Sequence, residues 1–183
     1  MLNKIISICL IFILSPFLIL ISIIILFDDG FPIIFKQNRI GKDNKHFKIY
    51  KFRTMKNGTS DIPTEHLVYH KNLYSRIGPF LRKYSLDELP QLYNIIKGDL
   101  YFIGPRPALH NQDDLIKLRT KKNIHKLKPG LTGWAQVNGR DNISINQKVA
   151  FDEYFLKNKT FRLKVKILMY SLVKVLKADN IKI

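Results

Sequence analysis

The sequence predicts an α+β fold: one membrane-associated domain in which helices dominate, strands are short and a small β-hairpin is present. Three observations predict it. One apolar run fills the N-terminus, helical spacing recurs through the middle and end of the chain, and only brief β-type stretches lie between turn residues. With 183 residues there is enough chain for a single domain with its own core. The expected division is a membrane helix over residues 1–27 and one cytoplasmic domain with interfacial helices over 28–183.

The apolar run comes first. From Ile5 to Phe27 every residue is apolar except Ser7, Ser15 and Ser22, and this length suffices to cross a bilayer. A cleaved signal peptide would have a shorter apolar core and a small-x-small site, which is missing before Asp28. Pro16, preceded by Ser15, predicts a kink, because proline lacks an N–H and collides with the carbonyl four residues earlier. Each half is then about 11 residues and about 16 Å long, a match to one leaflet. A kinked spanning helix and a re-entrant hairpin both fit; composition favours spanning, since many spanning helices contain proline.

Lys and Arg number 31 against 14 Asp and Glu, a net charge of +17, and Lys4 is the only charge before Asp28. The positive-inside rule therefore keeps the remainder on the cytoplasmic side. Such a surface calls for an anionic partner: nucleic acid, anionic membrane lipids or a nucleotide-sugar. Cys9 is the sole cysteine, so no intrachain disulfide forms.

After the Asp28-Asp29-Gly30 turn, Ile33–Phe35 and Phe47–Phe52 read as strands, and the period of two puts Lys51 and Arg53 on one face. Asn57–Thr64 reads as a mobile loop, followed by helical patterning from Glu65 to Arg82 that Gly78-Pro79 interrupts. Another helix is expected over Leu86–Ile96, closed by Lys97-Gly98, then a short strand over Leu100–Ile103. Gly104-Pro105-Arg106-Pro107 is a rigid turn, residues 109–126 are charged and helical, and a strand-like piece holds Trp134 and Val137. Ser144 and Gln147 form a capping box for a helix through Leu156. Leu163, Ile167, Tyr170, Val173 and Leu176 make a stripe flanked by lysines, suited to core packing or to the membrane interface.

Chemistry concentrates at Ser85-Leu86-Asp87-Glu88-Leu89-Pro90. Ser85 and Glu88 also fit a plain helix start, with Ser85 as cap and both acids favoured by the helix dipole. The surroundings argue for more. Arg106 lies between two prolines, so its stiff backbone can aim a guanidinium at phosphate with little entropy lost. Lys51, Arg53 and Arg140 add basic groups on strand ends and turns. An acidic pair among such residues suits a diphosphate with a metal ion: one carboxylate as nucleophile, the other as ligand or acid–base partner.

These segments, with Lys51-Phe52-Arg53-Thr54-Met55, Gly98-Asp99 and Pro129-Gly130-Leu131-Thr132-Gly133-Trp134-Ala135-Gln136-Val137-Asn138-Gly139-Arg140, stand in the order found in the bacterial sugar transferases, the monotopic phosphoglycosyl transferases. The chain resembles their small form, similar to the enzyme initiating bacterial N-linked glycan assembly, and the resemblance covers nearly all of it. It implies that residues 28–183 are the phosphoglycosyl transferase domain, on the cytoplasmic face of the bacterial inner membrane. The implied reaction moves a sugar 1-phosphate, from a UDP-sugar that is N-acetylated by analogy, to polyprenyl (undecaprenyl) phosphate. UMP leaves, and a phosphosugar rests covalently on Asp87 in between. Glu88 binds Mg²⁺ with Asp87 or handles a proton. Arg106 and Lys51 contact phosphate, Arg53 and Arg82 are weaker candidates, Arg140 holds the uridine end, and Asp152 aligns with an acidic position near the site. The family's membrane segment breaks at a Ser-Pro pair, which turns Ser15-Pro16 towards the re-entrant reading. Asn3 stands where the family has Asp, which implies weaker N-terminal anchoring or a misassigned start.

Two other functions meet the composition less well. A membrane-tethered nucleic-acid-binding protein would explain the charge but leaves Asp87, Glu88 and Arg106 unused, and no familiar nucleic-acid motif is present, so no nucleic acid partner is expected. A metal-dependent glycosyltransferase would release UDP in place of UMP. A homodimer is compatible with the sequence, though no residue requires it.

Overall fold

The computed structural model describes residues 1–59, 73–139 and 142–177. Helix α1 (Leu2–Asp29) is followed by β1 (Ile34–Ile40) and β2 (His46–Phe52), then α2 (Gly78–Lys83), α3 (Gln91–Lys97), β3 (Tyr101–Ile103) and β4 (Ala108–Leu109). The chain continues through α4 (Asp113–Lys121), β5 (Gly130–Thr132), the short α5 (Trp134–Val137), α6 (Ile145–Lys157) and α7 (Phe161–Lys177). β1 and β2 form an antiparallel hairpin, β4 joins the free edge of β1, and β3 pairs with β5 in parallel. The α+β expectation holds.

Helix α1 runs unbroken through Pro16. Proline leaves the carbonyl four residues back, that of Phe12, without its helical donor. The Ser15 hydroxyl donates to that carbonyl at 2.8 Å, so the Ser-Pro pair removes a donor and supplies a substitute.

The helix is not a free tail. Ser7, wholly buried, donates its hydroxyl to the Leu92 carbonyl on α3 at 3.1 Å. Leu10, Ile11 and Leu14 pack on Ile49, Leu92, Ile95 and Leu100, and further along Leu18, Ile21 and Ile25 pack on Phe52 and Leu81. At its far end Asp28 accepts from the Ile77 backbone N–H at 3.1 Å, and Arg53 donates to the Asp29 and Gly30 carbonyls at 2.8 and 2.7 Å. One face of α1 is therefore core, and the other leaves Phe12, Ile13 and Phe27 exposed.

Several local expectations shift. Pro79 opens α2 instead of interrupting a helix, since proline suits a first turn where N–H groups lack partners anyway; the proposed helical stretch before residue 73 and most of the Asn57–Thr64 loop lie outside the described residues. Ser85 makes no cap: it sits at φ 54° in the left-handed region, and Leu86–Glu88 form a single 3₁₀ turn before α3 begins at Gln91, with Pro90 at its N-cap. The piece holding Trp134 and Val137 is a helical turn, with the strand confined to Gly130–Thr132. The capping box at Ser144 and Gln147 forms in full.

On α6, Glu153 accepts from Lys157 at 2.7 Å and from Lys122 at the end of α4. These two bonds hold its carboxyl at about 2, against an ordinary 4.5. A depressed carboxylate adds stability above its unfolded value, and the gain is lost as pH falls through the folded one. The melting-temperature difference between the native protein and Glu153→Gln should therefore shrink as pH drops from 4.5 towards about 2. A difference that is constant over that range would show that the Lys122–Glu153–Lys157 cluster is only a surface contact.

Candidate active site

Asp87 and Glu88 follow directly on left-handed Ser85, and the 3₁₀ turn carries both into the interior, 7% and 8% exposed. Two adjacent carboxylates without counter-charge would be costly there. The hairpin brings one cation, Lys51 at the end of β2, whose Nζ lies 2.9 Å from Glu88 Oε1 and 3.9 Å from Asp87 Oδ2. The turn after β3 brings the other, with Arg106 donating to the same Glu88 oxygen at 3.0 Å. Burial pushes the Lys51 amine below its usual range, while Glu88 and Asp87 pull it back up.

Arg106 is held by an unusual means. Its neighbours Pro105 and Pro107 offer no backbone N–H, so the turn is fixed by the Gly104 N–H, which donates to the Thr132 carbonyl at 2.9 Å, and by its own carbonyls. Pro105 O accepts from the Gly130 N–H at 2.9 Å, Arg106 O from Arg119 at 2.8 Å, and Pro107 O from Arg39 at 3.2 Å. Behind Arg119 stands Asp152, 1% exposed, accepting from Arg119 Nε at 3.0 Å and from its amino group at 2.6 Å. Burial raises the Asp152 carboxyl, and the Arg119 charge opposes that shift.

The glycines of these motifs have a packing reason. A Cβ on Gly130 would lie 2.0 Å from the Gly104 nitrogen, and one on Gly133 would lie 2.1 Å from the Gly104 carbonyl oxygen. Backbone touches backbone here, so β3 and β5 close together and set the turn that carries Arg106.

The sequence candidates thus divide. Asp87, Glu88, Lys51 and Arg106 meet at one place. Arg53, expected beside Lys51, lies past the end of β2, 6% exposed, and caps α1; the two-residue period that paired it with Lys51 stops with the strand. Arg82 donates to the Tyr74 hydroxyl at 2.9 Å and stacks over that ring, a placement the helical pattern could not reveal. Asp152, expected near the site, is buried behind Arg119, whose guanidinium reaches the Arg106 carbonyl. Arg140 lies outside the described residues.

Two residues escaped the sequence reading. Arg39 shares the hairpin face with Lys51, as the register Phe35↔Lys51 and Arg39↔Phe47 shows, but the expected strand ended at Phe35. Arg119 reads as an ordinary charge on a charged helix, and nothing local marks its reach to Arg106.

Among the described residues no three His, Cys, Asp or Glu side chains converge, so a metal would rest on Asp87 and Glu88. That donor set fits Mg²⁺, which is commonly held by one or two carboxylates with water and substrate phosphate completing its shell.

Comparisons with known proteins show the family. The family model described as "Bacterial sugar transferase" matches residues 1–178. The chain is 43% identical over 155 residues to the "Uncharacterized sugar transferase EpsL" of Bacillus subtilis, covering 83% of this chain and 74% of that protein. It is 34% identical over 168 residues to the "UDP-glucose:undecaprenyl-phosphate glucose-1-phosphate transferase" of Escherichia coli, covering 88% of this chain and 36% of that one. A 33% match over 167 residues, with 88% and 40% coverage, links it to the "UDP-N-acetylgalactosamine-undecaprenyl-phosphate N-acetylgalactosaminephosphotransferase" of Aeromonas hydrophila.

Removing one partner of the Asp152–Arg119 pair leaves a buried charge uncompensated, at a cost of about 3–5 kcal/mol. Asp152→Asn should accordingly lower the melting temperature and release the Arg106 turn. Arg119→Lys, which keeps the charge but cannot reach both Asp152 and the Arg106 carbonyl as a planar fork does, should lower activity more than stability. Equal activity in Arg119→Lys and the native protein would show that the brace does not position Arg106.

Proposed function

Because this chain belongs to the bacterial sugar transferase family, we propose that it moves a sugar 1-phosphate from a UDP-sugar onto polyprenyl phosphate, releasing UMP through a covalent phosphosugar on Asp87. The observation that carries this reading is the buried Asp87–Glu88 pair with Lys51 and Arg106 within 2.9 to 3.9 Å of its oxygens. The Escherichia coli and Aeromonas relatives, named for transfer of glucose 1-phosphate and phospho-N-acetylgalactosamine to undecaprenyl phosphate, support the reaction class.

In the first half-reaction an Asp87 carboxylate oxygen attacks the sugar-linked phosphorus. A new P–O bond forms, the diphosphate bridge breaks, and UMP departs with the bonding electron pair. The repulsion between an anionic nucleophile and a diphosphate is large in a dry site, and the nearby Lys51 and Arg106 charges reduce it. Both cations draw on Glu88 Oε1, so Glu88 fixes where they stand while Asp87 keeps a longer 3.9 Å relation to Lys51. Bound Mg²⁺ would neutralise phosphate charge beside Asp87 and Glu88. In the second half-reaction a phosphate oxygen of the lipid acceptor attacks the same phosphorus and Asp87 leaves as carboxylate. A mixed acyl–phosphoryl anhydride is reactive enough to transfer its group to so weak a nucleophile.

The acceptor is a lipid, so the site must lie at headgroup depth. Contacts from Ser7 to Asp28 tie both ends of α1 to the same domain. A helix crossing the bilayer upright would carry its first residues about 30 Å from a domain in the water. We therefore place residues 1–27 in the cytoplasmic leaflet as the re-entrant element, bending at Pro16 while remaining helical, with residues 28–183 on the cytoplasmic face and anionic lipids around the lysines of α7. The exposed apolar residues of α7, Leu168, Met169, Leu172 and Leu176, suit an interfacial position.

Purified protein given a panel of UDP-sugars, Mg²⁺ and polyprenyl phosphate should release UMP, and before lipid is added its intact mass should rise by one phosphosugar. Asp87→Asn should lose both signals, with turnover falling on the order of 10⁴-fold or more, as when a covalent nucleophile is removed. UDP as the nucleotide product, or an active Asp87→Asn protein, would refute the scheme.

A further inference from the structure

Beside the charged pair lies a cavity of about 360 Å³ that the proposed chemistry does not use. It runs between α7 and the turn carrying Asp87 and Glu88. Glu88 and Arg106 stand on its wall, and the rest is largely carbon, with Leu86, Leu89, Leu131, Leu168, Leu172 and Val175 as the main walls. That volume falls in the range of pockets that enclose a drug-sized apolar ligand.

Helix α7 carries two apolar stripes. Leu163 and Ile167 are buried against Val137 and Phe155 and serve the core. Leu168, Leu172 and Val175 follow the three- and four-residue spacing of a second stripe, yet Leu168 and Leu172 remain 41% and 59% exposed. Of the polar groups on this wall, the Thr132 and Ser171 hydroxyls pair at 2.6 Å, and Gln136 donates to the Leu131 carbonyl at 3.3 Å while its Oε1 is left without a partner. The groove thus offers carbon along its length and a cation, Arg106, on the wall it shares with the reacting carboxylates, with Lys174 as a second positive charge.

We propose that this groove seats the isoprenoid tail of the lipid acceptor, with the acceptor's phosphate lying at Arg106. The proposal rests on the transferase reading above. Of the two substrates, the nucleotide-sugar is polar throughout and gains nothing from six aliphatic walls. The acceptor has one terminal phosphate on a hydrocarbon chain, and the groove has one charged region and a carbon wall. The units nearest the phosphate lie along Leu86, Leu89, Leu168 and Leu172, and the remainder continues into the membrane past the exposed outer side of α7. Recognition is then confined to the start of the chain, and its far end is unread.

The test uses the full chain in phospholipid nanodiscs and a polyprenyl phosphate with a diazirine in its first isoprene units. Light should attach the probe to peptides containing residues 86–89 and 168–175, and unlabelled undecaprenyl phosphate should compete it away. Leu168→Trp, which fills the groove, and Leu172→Asp, at an exposed position where folding is not at stake, should each raise the KM for acceptor, and for acceptor alone. A rise of about tenfold is the size expected for one lost aliphatic contact. Labelling confined to α1, labelling displaced by phospholipid but not by undecaprenyl phosphate, or an unchanged acceptor KM in Leu172→Asp would overturn the assignment. The two readings fail separately. A protein that releases UMP but labels elsewhere keeps the transfer and loses the groove; one that labels here but releases no nucleotide does the reverse.

Discussion

Two neighbouring carboxylates are kept in the interior, and the rest of the structure can be understood from that constraint. A buried anion needs close counter-charge, and two adjacent anions need it more. No single element of this chain could supply it. Lys51 comes from a hairpin, Arg106 from a turn between β3 and β4, and the acids from a 3₁₀ turn opened by a serine in the left-handed region. Because both cations converge on one Glu88 oxygen, the paired geometry already distinguishes the two acids.

Holding Arg106 steady is the second demand, and its local sequence makes the solution specific. Prolines on both sides stiffen the backbone but remove the N–H groups that would anchor it. Beside the Gly104 N–H, which donates to the Thr132 carbonyl at 2.9 Å, the turn's carbonyls therefore carry much of the anchoring. Gly130, Arg119 and Arg39 take one each. The close glycine contacts around Gly104 bring β5 near enough for the first of these, and Asp152 keeps Arg119 directed at the second. The basic excess of the chain thus has at least two uses. Arg106 pairs with the acids, and Arg39 and Arg119 hold backbone in place behind it.

The membrane helix belongs to the same design. Its apolar length alone would suit an independent anchor, yet one face packs on α3, β2 and α2 from end to end. Ser15 replaces the hydrogen bond that Pro16 removes, and Arg53 caps the carbonyls where the helix ends. Fixing the helix to the domain fixes the position of the acidic pair relative to the exposed apolar face of α1.

The α+β class, the apolar segment, the α6 capping box and the residues Asp87, Glu88, Lys51 and Arg106 were legible in the sequence, because each depends on local chemistry: a run of carbon, a cap three residues from its partner, acids at a turn, a cation locked by prolines. Arg53 and Arg82, the weaker candidates, and Asp152 meet other partners, since a strand's period and a helix's charge pattern say which way a residue starts out but not what it meets. Arg39 and Arg119 were silent for the same reason. Their partners lie 68 and 13 residues away in the chain. By itself the sequence determined which groups were available; only the tertiary structure decided which cations reach the carboxylates and which brace the turn, because those distances are set by long-range packing that no local pattern encodes.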